Sequence, residues 1–540
     1  MINKKYYIII LLAVSIFIFF FGLGNMALTD PDETFYGETA KEMLQEKEWN
    51  TPLIFGNPQF EKPIFYYWLI LVSYLMFGVG EFAARFPSAI FGIIGVLGVF
   101  LLGKRLYSSL CGFLSALIMA TCVQYVMLSR ACVTDMVLTV VILLCLLFFI
   151  NGWVTRKKYN YLIAAGMAAI AVLTKGPIGL FIPGMIIIIY ITSVRGWKEL
   201  KNVPIFSSIL VFLVIAMPWY IFVTRVHGSL FLNEFFGFHN IVRFLEPEHR
   251  IGSSPFFYIP VIFGGFFPWS FFLPISVLDM YRKKETGLTL QKTGTFLIIW
   301  FLVIFLFFSV SRTKLVTYIF PLFPVLAIVV GRFWEQFITS GNNVKDKIGK
   351  HLNISYLVFI LTMVLGAIGI SLFVRYKYPQ ALPGTILTCM TFIFGILLSL
   401  IMFLKNKKTL AFFSIILAVL LMAVPVVKYV LPVIEDFESS KAICFRLKEL
   451  AQPGEAIGGE CDMRRGVAFY TDQVKIEDVH SYDALNEFFS RKTRIWAVLK
   501  KKHYDQIKEA RPKDVSSPIF IVGKKVLATN ILEIQPEEGI

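Results

Sequence analysis

IFYYWLILVSYLMF, residues 64–77, is the stretch on which the topology of this chain turns. It is apolar, but it has only fourteen residues, and a helix needs about 20 to cross about 30 Å of hydrocarbon. Counted as a span, it would invert every later loop and move the basic clusters of the chain to the outside. Read instead as an interfacial or re-entrant helix, with its Tyr and Trp side chains at headgroup level, it leaves every strong basic cluster on one side.

Working outward, thirteen candidate spans flank it, at roughly 6–24, 86–103, 109–129, 134–153, 160–174, 177–193, 204–224, 256–278, 294–310, 316–335, 353–374, 384–404 and 410–432. The N-terminal run has a basic start and no small-residue cleavage site after it, which reads as a retained span. With Lys4 and Lys5 inside and the sides alternating, the inner loops receive Lys104 and Arg105, then Arg156 to Lys158, Arg195 with Lys198 and Lys201, Arg282 to Lys284, Lys345 with Lys347 and Lys350, and Lys405 with Lys407 and Lys408. The predicted fold class is an all-α polytopic membrane protein with the N-terminus cytoplasmic. Its spanning domain covers 1–432, and a small extracytoplasmic α/β domain covers 433–540.

Composition agrees. The chain is 57% hydrophobic, with 54 Phe residues, and only 16% charged, where a soluble chain carries about 25% charged residues. A net charge of +16 would suit nucleic acid if the cations formed a stripe with interleaved aromatics. They lie in short clusters between apolar runs, and no nucleic-acid partner is expected. The seven cysteines show no CxxC pair and no zinc spacing. Five lie in or beside apolar runs as small buried hydrophobes, and Cys444 and Cys461 fall in the tail, with free thiols the first reading and a disulfide between them the second.

Three segments face outward: the loop 24–85, the loop 225–254 and the tail. Between Gly24 and Lys62 the first loop carries eight acids against three lysines. It opens on Thr29-Asp30-Pro31-Asp32-Glu33, where Asp30 reads as an N-cap, Pro31 as the first helical residue and Glu33 as the capping-box partner. Asp32 has neither role, although an acid there also suits the helix dipole. Phe60-Glu61-Lys62-Pro63 follows, and a lysine beside lipid can hold a phosphate as a point charge. Arg130 and Asp135 flank the turn SRACVTD at the bilayer edge, where ionisable groups are expensive and usually functional. His239 and Arg243 share a helix face at i, i+4, and Lys314 enters the tenth span. In the tail, residues 437–450 and 501–510 read as helices, and EAIGGE, TRIWAVLK and SPIFIVG as strands.

Together these residues form a set of cations and carboxylates beside lipid, suited to a phosphate-bearing lipid and a polar second substrate. Charges crowd the outer ends of the spans, and no inverted repeat is evident, which argues against a transporter of lipid- or polyprenol-linked substrates. A non-catalytic envelope assembly protein is the other alternative.

PDETFYGETAKEM (31–43), FEKPIFYYW (60–68), GEFAARFPSAIFG (80–92), VTDM (133–136), LTKGPIG (173–179), HNIVRF (239–244) before PFFYIPVIFGGFFPW (255–269), and KLVTYIFP (314–321) carry a resemblance in their order and spacing. Over residues 1 to about 335 the sequence resembles the GT-C superfamily of polyprenyl-phosphate-sugar-dependent glycosyltransferases, in the branch of the lipid A aminoarabinose transferases and protein mannosyltransferases. The resemblance implies a bacterial inner-membrane enzyme. It would take a polyprenyl-phosphate-linked sugar and pass the sugar to a glycolipid, other envelope glycan or protein outside the cytoplasm. It implies Asp32 as the catalytic residue. Glu33, Tyr36, Lys62, Asp135, Arg243, Lys314 and Tyr318 would bind substrate, and Glu61 with His239 could surround a divalent metal ion. No nucleotide cofactor is expected. Two positions depart from the aminoarabinose transferases: Phe35 stands where they carry arginine, and Gln59 where they carry tyrosine.

Overall fold

The computed structural model describes residues 3–194, 196–235, 237, 254–282, 288–340 and 348–530. Among the described residues, eight helices are long and apolar enough to cross a membrane, and up to eleven segments qualify if each bent helix pair is one span. These eleven account for every expected span except the first and the fifth. The first forms a helix of 14 residues, Tyr7–Phe20, short for a crossing. The fifth, Lys158–Lys175, is 18 residues long but polar at both ends through Lys158, Asn160 and Lys175. Residues Phe65–Phe77 form a separate 13-residue helix, roughly 20 Å long at 1.5 Å per residue. That is short of the bilayer core, as the charge pattern required.

The bends have local causes. Between Ser109–Thr121 and Val123–Ser129 the axis turns by 68°, because Cys122 adopts an extended conformation. Between Tyr258–Gly265 and Trp269–Met280 it turns by 110°, where Pro268 removes a backbone donor. Pro87, Pro183 and Pro218 sit inside helices, as neighbouring helices in lipid allow.

Contacts divide the chain into two compact units. The first comprises Met1–Leu23, Phe60–Tyr66 and Arg85–Lys428. Its interior is aromatic, with Tyr125, Trp269, Trp300 and Trp334 fully buried. The Trp269 indole N–H donates to Thr121 Oγ1 at 2.9 Å, which satisfies its polar edge.

The second unit comprises Gly24–Gln59, Tyr67–Ala84 and Tyr429–Ile540, so most of the segment 24–85 packs with the tail. The loop supplies the helix Asp32–Gln45 and a two-stranded hairpin, β1 (Leu53–Ile54) and β2 (Asn57–Pro58). Its turn places Phe55 and Gly56 at φ 55° and 72°, the two positive values that a type I′ turn requires. Glu42, buried, accepts from Phe55 N at 2.7 Å and Gly56 N at 3.0 Å, which holds that turn.

The tail folds as a five-stranded mixed sheet of β3 (Ala456–Gly459), β4 (Ile476–Asp478), β5 (Ile495–Lys500), β6 (Phe520–Val522) and β7 (Lys525–Thr529), in the order β4-β3-β5-β7-β6. β3 runs parallel to β4 and β5, and β7 antiparallel to β5 and β6. Leu485, Phe488, Phe489, Tyr504 and Ile507 close over one face of β5 and β7. The three expected strands and the helix Lys501–Ala510 are present. The expected helix over 437–450 breaks at Ser439, ending one helix at Glu438 and starting another at Lys441. Cys444 is buried and Cys461 exposed, and both are free.

Candidate active site

Asp32, Glu33 and Tyr36 lie in the second unit, on the helix Asp32–Gln45. Asp30 is not its N-cap: Pro31 takes that position and makes no side-chain cap. Glu33 is buried and accepts from Thr29 N at 3.0 Å and Thr29 Oγ1 at 3.1 Å, half of the expected capping box moved back by one residue. Asp30 accepts at Oδ1 from Thr34 Oγ1 at 3.0 Å. Burial pushes its carboxyl up to about 7, against the opposing pull of Lys525. Glu38 and Glu42 are buried in turn, each 1% exposed. Asp32 is thus the only exposed carboxylate of its helix.

Tyr36 is buried, its ring 5.1 Å from Phe35 and 6.0 Å from Tyr67. The two departures from the aminoarabinose pattern are buried nearby in the sequence and in this unit. Phe35 lies under the guanidinium of Arg465 at 4.4 Å, and Gln59 Nε2 donates to Tyr67 Oη at 2.8 Å.

Glu61, Lys62, Asp135, Lys314 and Tyr318 belong to the first unit. Phe60 anchors the Glu-Lys pair. It is buried, with its ring 5.1 Å from His227 and 5.2 Å from Phe231. Lys62 is half-buried and donates to Glu61 O at 3.2 Å. Asp135 and Tyr318 are brought together by a residue outside the expected set. Lys175 Nζ lies 2.6 Å from Asp135 Oδ1 and 5.2 Å from the centre of the Tyr318 ring. Its signal was LTKGPIG, which the resemblance contained without giving the lysine a role. Lys314 is buried, and its Nζ donates to Ser311 O at 2.5 Å. Arg130 closes the end of the first helix, donating to Ile18 O at 3.0 Å, Phe19 O at 3.3 Å and Gly22 O at 3.4 Å. That satisfies carbonyls a helix leaves open at its C-terminus.

Arg243 and His239 lie outside the described residues. Among the described residues, no three or more His, Cys, Asp or Glu gather into a metal-holding group, so Glu61 by itself does not make a metal site.

Comparison with known proteins follows the same lines. The family described as dolichyl-phosphate-mannose-protein mannosyltransferase matches residues 61–222. A protein of Aquifex aeolicus is 27% identical over 475 residues, covering 87% of this chain and 88% of its own length. The undecaprenyl phosphate-alpha-4-amino-4-deoxy-L-arabinose arabinosyl transferase of Edwardsiella ictaluri is 29% identical over 395 residues, 69% of either chain. ArnT from Cupriavidus metallidurans, solved bound to undecaprenyl phosphate, superposes with a TM-score of 0.81 over 98% of this chain and 99% of its own, at 21% identity. That last likeness is one of fold.

Fold and sequence likeness together support a multi-pass inner-membrane glycosyltransferase that resembles the GT-C superfamily. The particular enzymes it resembles are the aminoarabinose transferases.

Proposed function

We propose that this chain transfers a sugar from a polyprenyl-phosphate donor to an acceptor on the extracytoplasmic side, a glycolipid, another envelope glycan or a protein, with Asp32 as the acting carboxylate. The observation that carries the assignment is exposure: Asp32 is the one carboxylate of its helix open to solvent, while Glu33, Glu38 and Glu42 are buried, Glu33 and Glu42 in hydrogen bonds to backbone N–H groups. The donor class is supported by the fold likeness to an enzyme solved with undecaprenyl phosphate.

In the reaction, the bond between the anomeric carbon and the phosphate oxygen breaks with oxocarbenium character, and the lipid phosphate leaves with the electron pair. Lys62, Arg243 and Lys314 would stabilise that phosphate as its charge grows. Where the acceptor is a hydroxyl, Asp32 takes its proton. Where the acceptor is a phosphate, already ionised at neutral pH, Asp32 positions it or stabilises the cationic sugar. Glu33 and Tyr36 would shape the substrate-facing turn, and Asp135 and Tyr318 the edge of the lipid site. No step runs through a metal. A divalent ion at Glu61 and His239 would add positive charge beside the departing phosphate, and unchanged turnover of a Glu61→Ala, His239→Ala double variant would remove it.

The functional reading is tested by mass spectrometry of envelope lipids, glycans and proteins from cells with and without the chain. One glycan modification should disappear on deletion and return with the wild-type copy; its full return with an Asp32→Asn copy would favour an assembly role. Because Phe35 and Gln59 depart from the aminoarabinose pattern, transfer in vitro is to be assayed with a panel of undecaprenyl-phosphate sugars, beginning with 4-amino-4-deoxy-L-arabinose.

A further inference from the structure

Lys41, on the third turn of the helix that begins with Asp32, is 3% exposed. Its Nζ lies 2.8 Å from Asp472 Oδ1 and 3.7 Å from Glu38 Oε2, and donates to Phe469 O at 2.7 Å and Ala468 O at 3.4 Å. Those two carbonyls end the tail helix Cys461–Thr471. The last four carbonyls of a helix lack partners within it, and the helix end carries partial negative charge. Asp472 follows directly in the left-handed conformation, φ 59°, which turns the chain back beside the same ammonium. A lysine of the outer loop therefore caps a helix 427 residues further along the chain.

Other bonds hold the same pairing. Leu28 N donates to Tyr470 Oη at 2.7 Å, and Lys441 Nζ lies 2.7 Å from Glu81 Oε1. Arg465, on the tail helix, covers Phe35 one turn beyond Asp32. A buried ammonium with this many oxygen partners fixes the register of two helices, because sliding or rotating either one would leave a buried charge unpaired.

We propose that the tail domain is a positioning element for sugar transfer: its helix Cys461–Thr471 holds the helix that carries Asp32, and Lys41 is the positioning residue through which it acts. The proposal rests on the reading of Asp32 as the acting carboxylate. It gives the tail a part in the reaction without contact with either substrate.

The test uses full-length protein in nanodiscs and three variants: Lys41→Met, Asp472→Asn and Asp32→Asn. Hydrogen exchange is read over residues 32–45, with β5 and β7 as internal controls. Transfer is read from radiolabelled undecaprenyl-phosphate sugars. Lys41→Met should speed exchange of residues 32–45 at least tenfold and leave β5 and β7 protected. It should lower kcat at least tenfold, with KM for the donor within threefold. Asp472→Asn keeps the carbonyl bonds of Lys41 and should move both readouts in the same direction by less. Asp32→Asn should lower kcat without changing exchange. Unchanged exchange of residues 32–45 in Lys41→Met and Asp472→Asn would overturn the proposal, as would faster exchange with unchanged kcat. If Lys41→Met also exposes β5 and β7, Asp472→Asn decides. Full activity of Asp32→Asn would instead remove the reading of Asp32, while the exchange data would still judge the hold of the tail on the loop.

Discussion

Lys175 Nζ and Asp135 Oδ1 lie 2.6 Å apart with only 16% and 15% of their side chains exposed, and the same ammonium faces the ring of Tyr318. Neither charge is well hydrated, so each depends on the other. Lys175→Met leaves a half-buried carboxylate unpaired, which costs about 1–3 kcal/mol. The thermal midpoint in detergent should fall by several degrees. The double variant Lys175→Met, Asp135→Asn should recover part of that loss, since removing both charges is milder than orphaning one. A double variant as unstable as the sum of the singles would show that the pair is not coupled.

Glu38 gives the second unit a pH dependence. Burial raises its carboxyl to about 8, with Lys41 pulling it back down and Glu42 and Asp472 adding to the rise. The folded pKa is above the unfolded one, so the proton stabilises the fold. That stability is present in full below the usual glutamate range and is lost as pH rises through about 8. Glu38→Gln, neutral at every pH, should flatten the fall. The wild type should lose up to a few kcal/mol relative to the variant between pH 5 and 9. Parallel thermal-midpoint curves for the two proteins across that range would contradict it.

The close approach of two spans predicts a steric effect. A Cβ on Gly112 would lie 2.3 Å from Phe100 O and 2.7 Å from Lys104 N, both backbone atoms that cannot give way. Gly112→Ala should therefore cost about 1–3 kcal/mol, the usual scale for overpacking. Gly184, whose Cβ would meet nothing within 4 Å, is the control, and Gly184→Ala should stay near the wild-type thermal midpoint.

Part of this was legible in the sequence, for reasons that differ by region. Apolar runs announce spans because the bilayer demands length, and the basic clusters decided the status of residues 64–77 where hydropathy could not. In the tail, the apolar TRIWAVLK announced β5, whereas β4, three residues of which two are acidic, had no pattern to show. The pairing of the segment 24–85 with the tail was hidden altogether, since the tail partners of Lys41 lie more than 400 residues away and a local window cannot register them. At the candidate site, Asp32 stood out by elimination from the capping roles. One premise of that elimination failed, since Pro31 and not Asp30 takes the N-cap position. Lys175 was overlooked because a lysine at the end of a span reads as an interfacial anchor until its partner is known.

The basic clusters predict an orientation with the N-terminus inside and the tail outside. Alkaline phosphatase fused after Ile540 should be active, and a cytoplasmic reporter at the same point silent. The reverse pattern would overturn the topology.

The central claim is that Asp32 acts in transfer while its neighbours build the helix. Asp32→Asn is nearly isosteric and should cost at most about 1 kcal/mol of dipole interaction. Asp30→Asn is the matched control. Burial holds the Asp30 carboxyl up to about 7, so near neutral pH an amide resembles a form it already adopts and keeps the acceptor for Thr34. The measurement is turnover by purified, folded protein with the undecaprenyl-phosphate sugar and acceptor that the envelope profile identifies. Asp32→Asn should lose roughly 100-fold or more, the scale of a group acting in the transition state, with Asp30→Asn within about threefold of wild type. Equal losses in the two variants, or full activity of Asp32→Asn, would contradict the account.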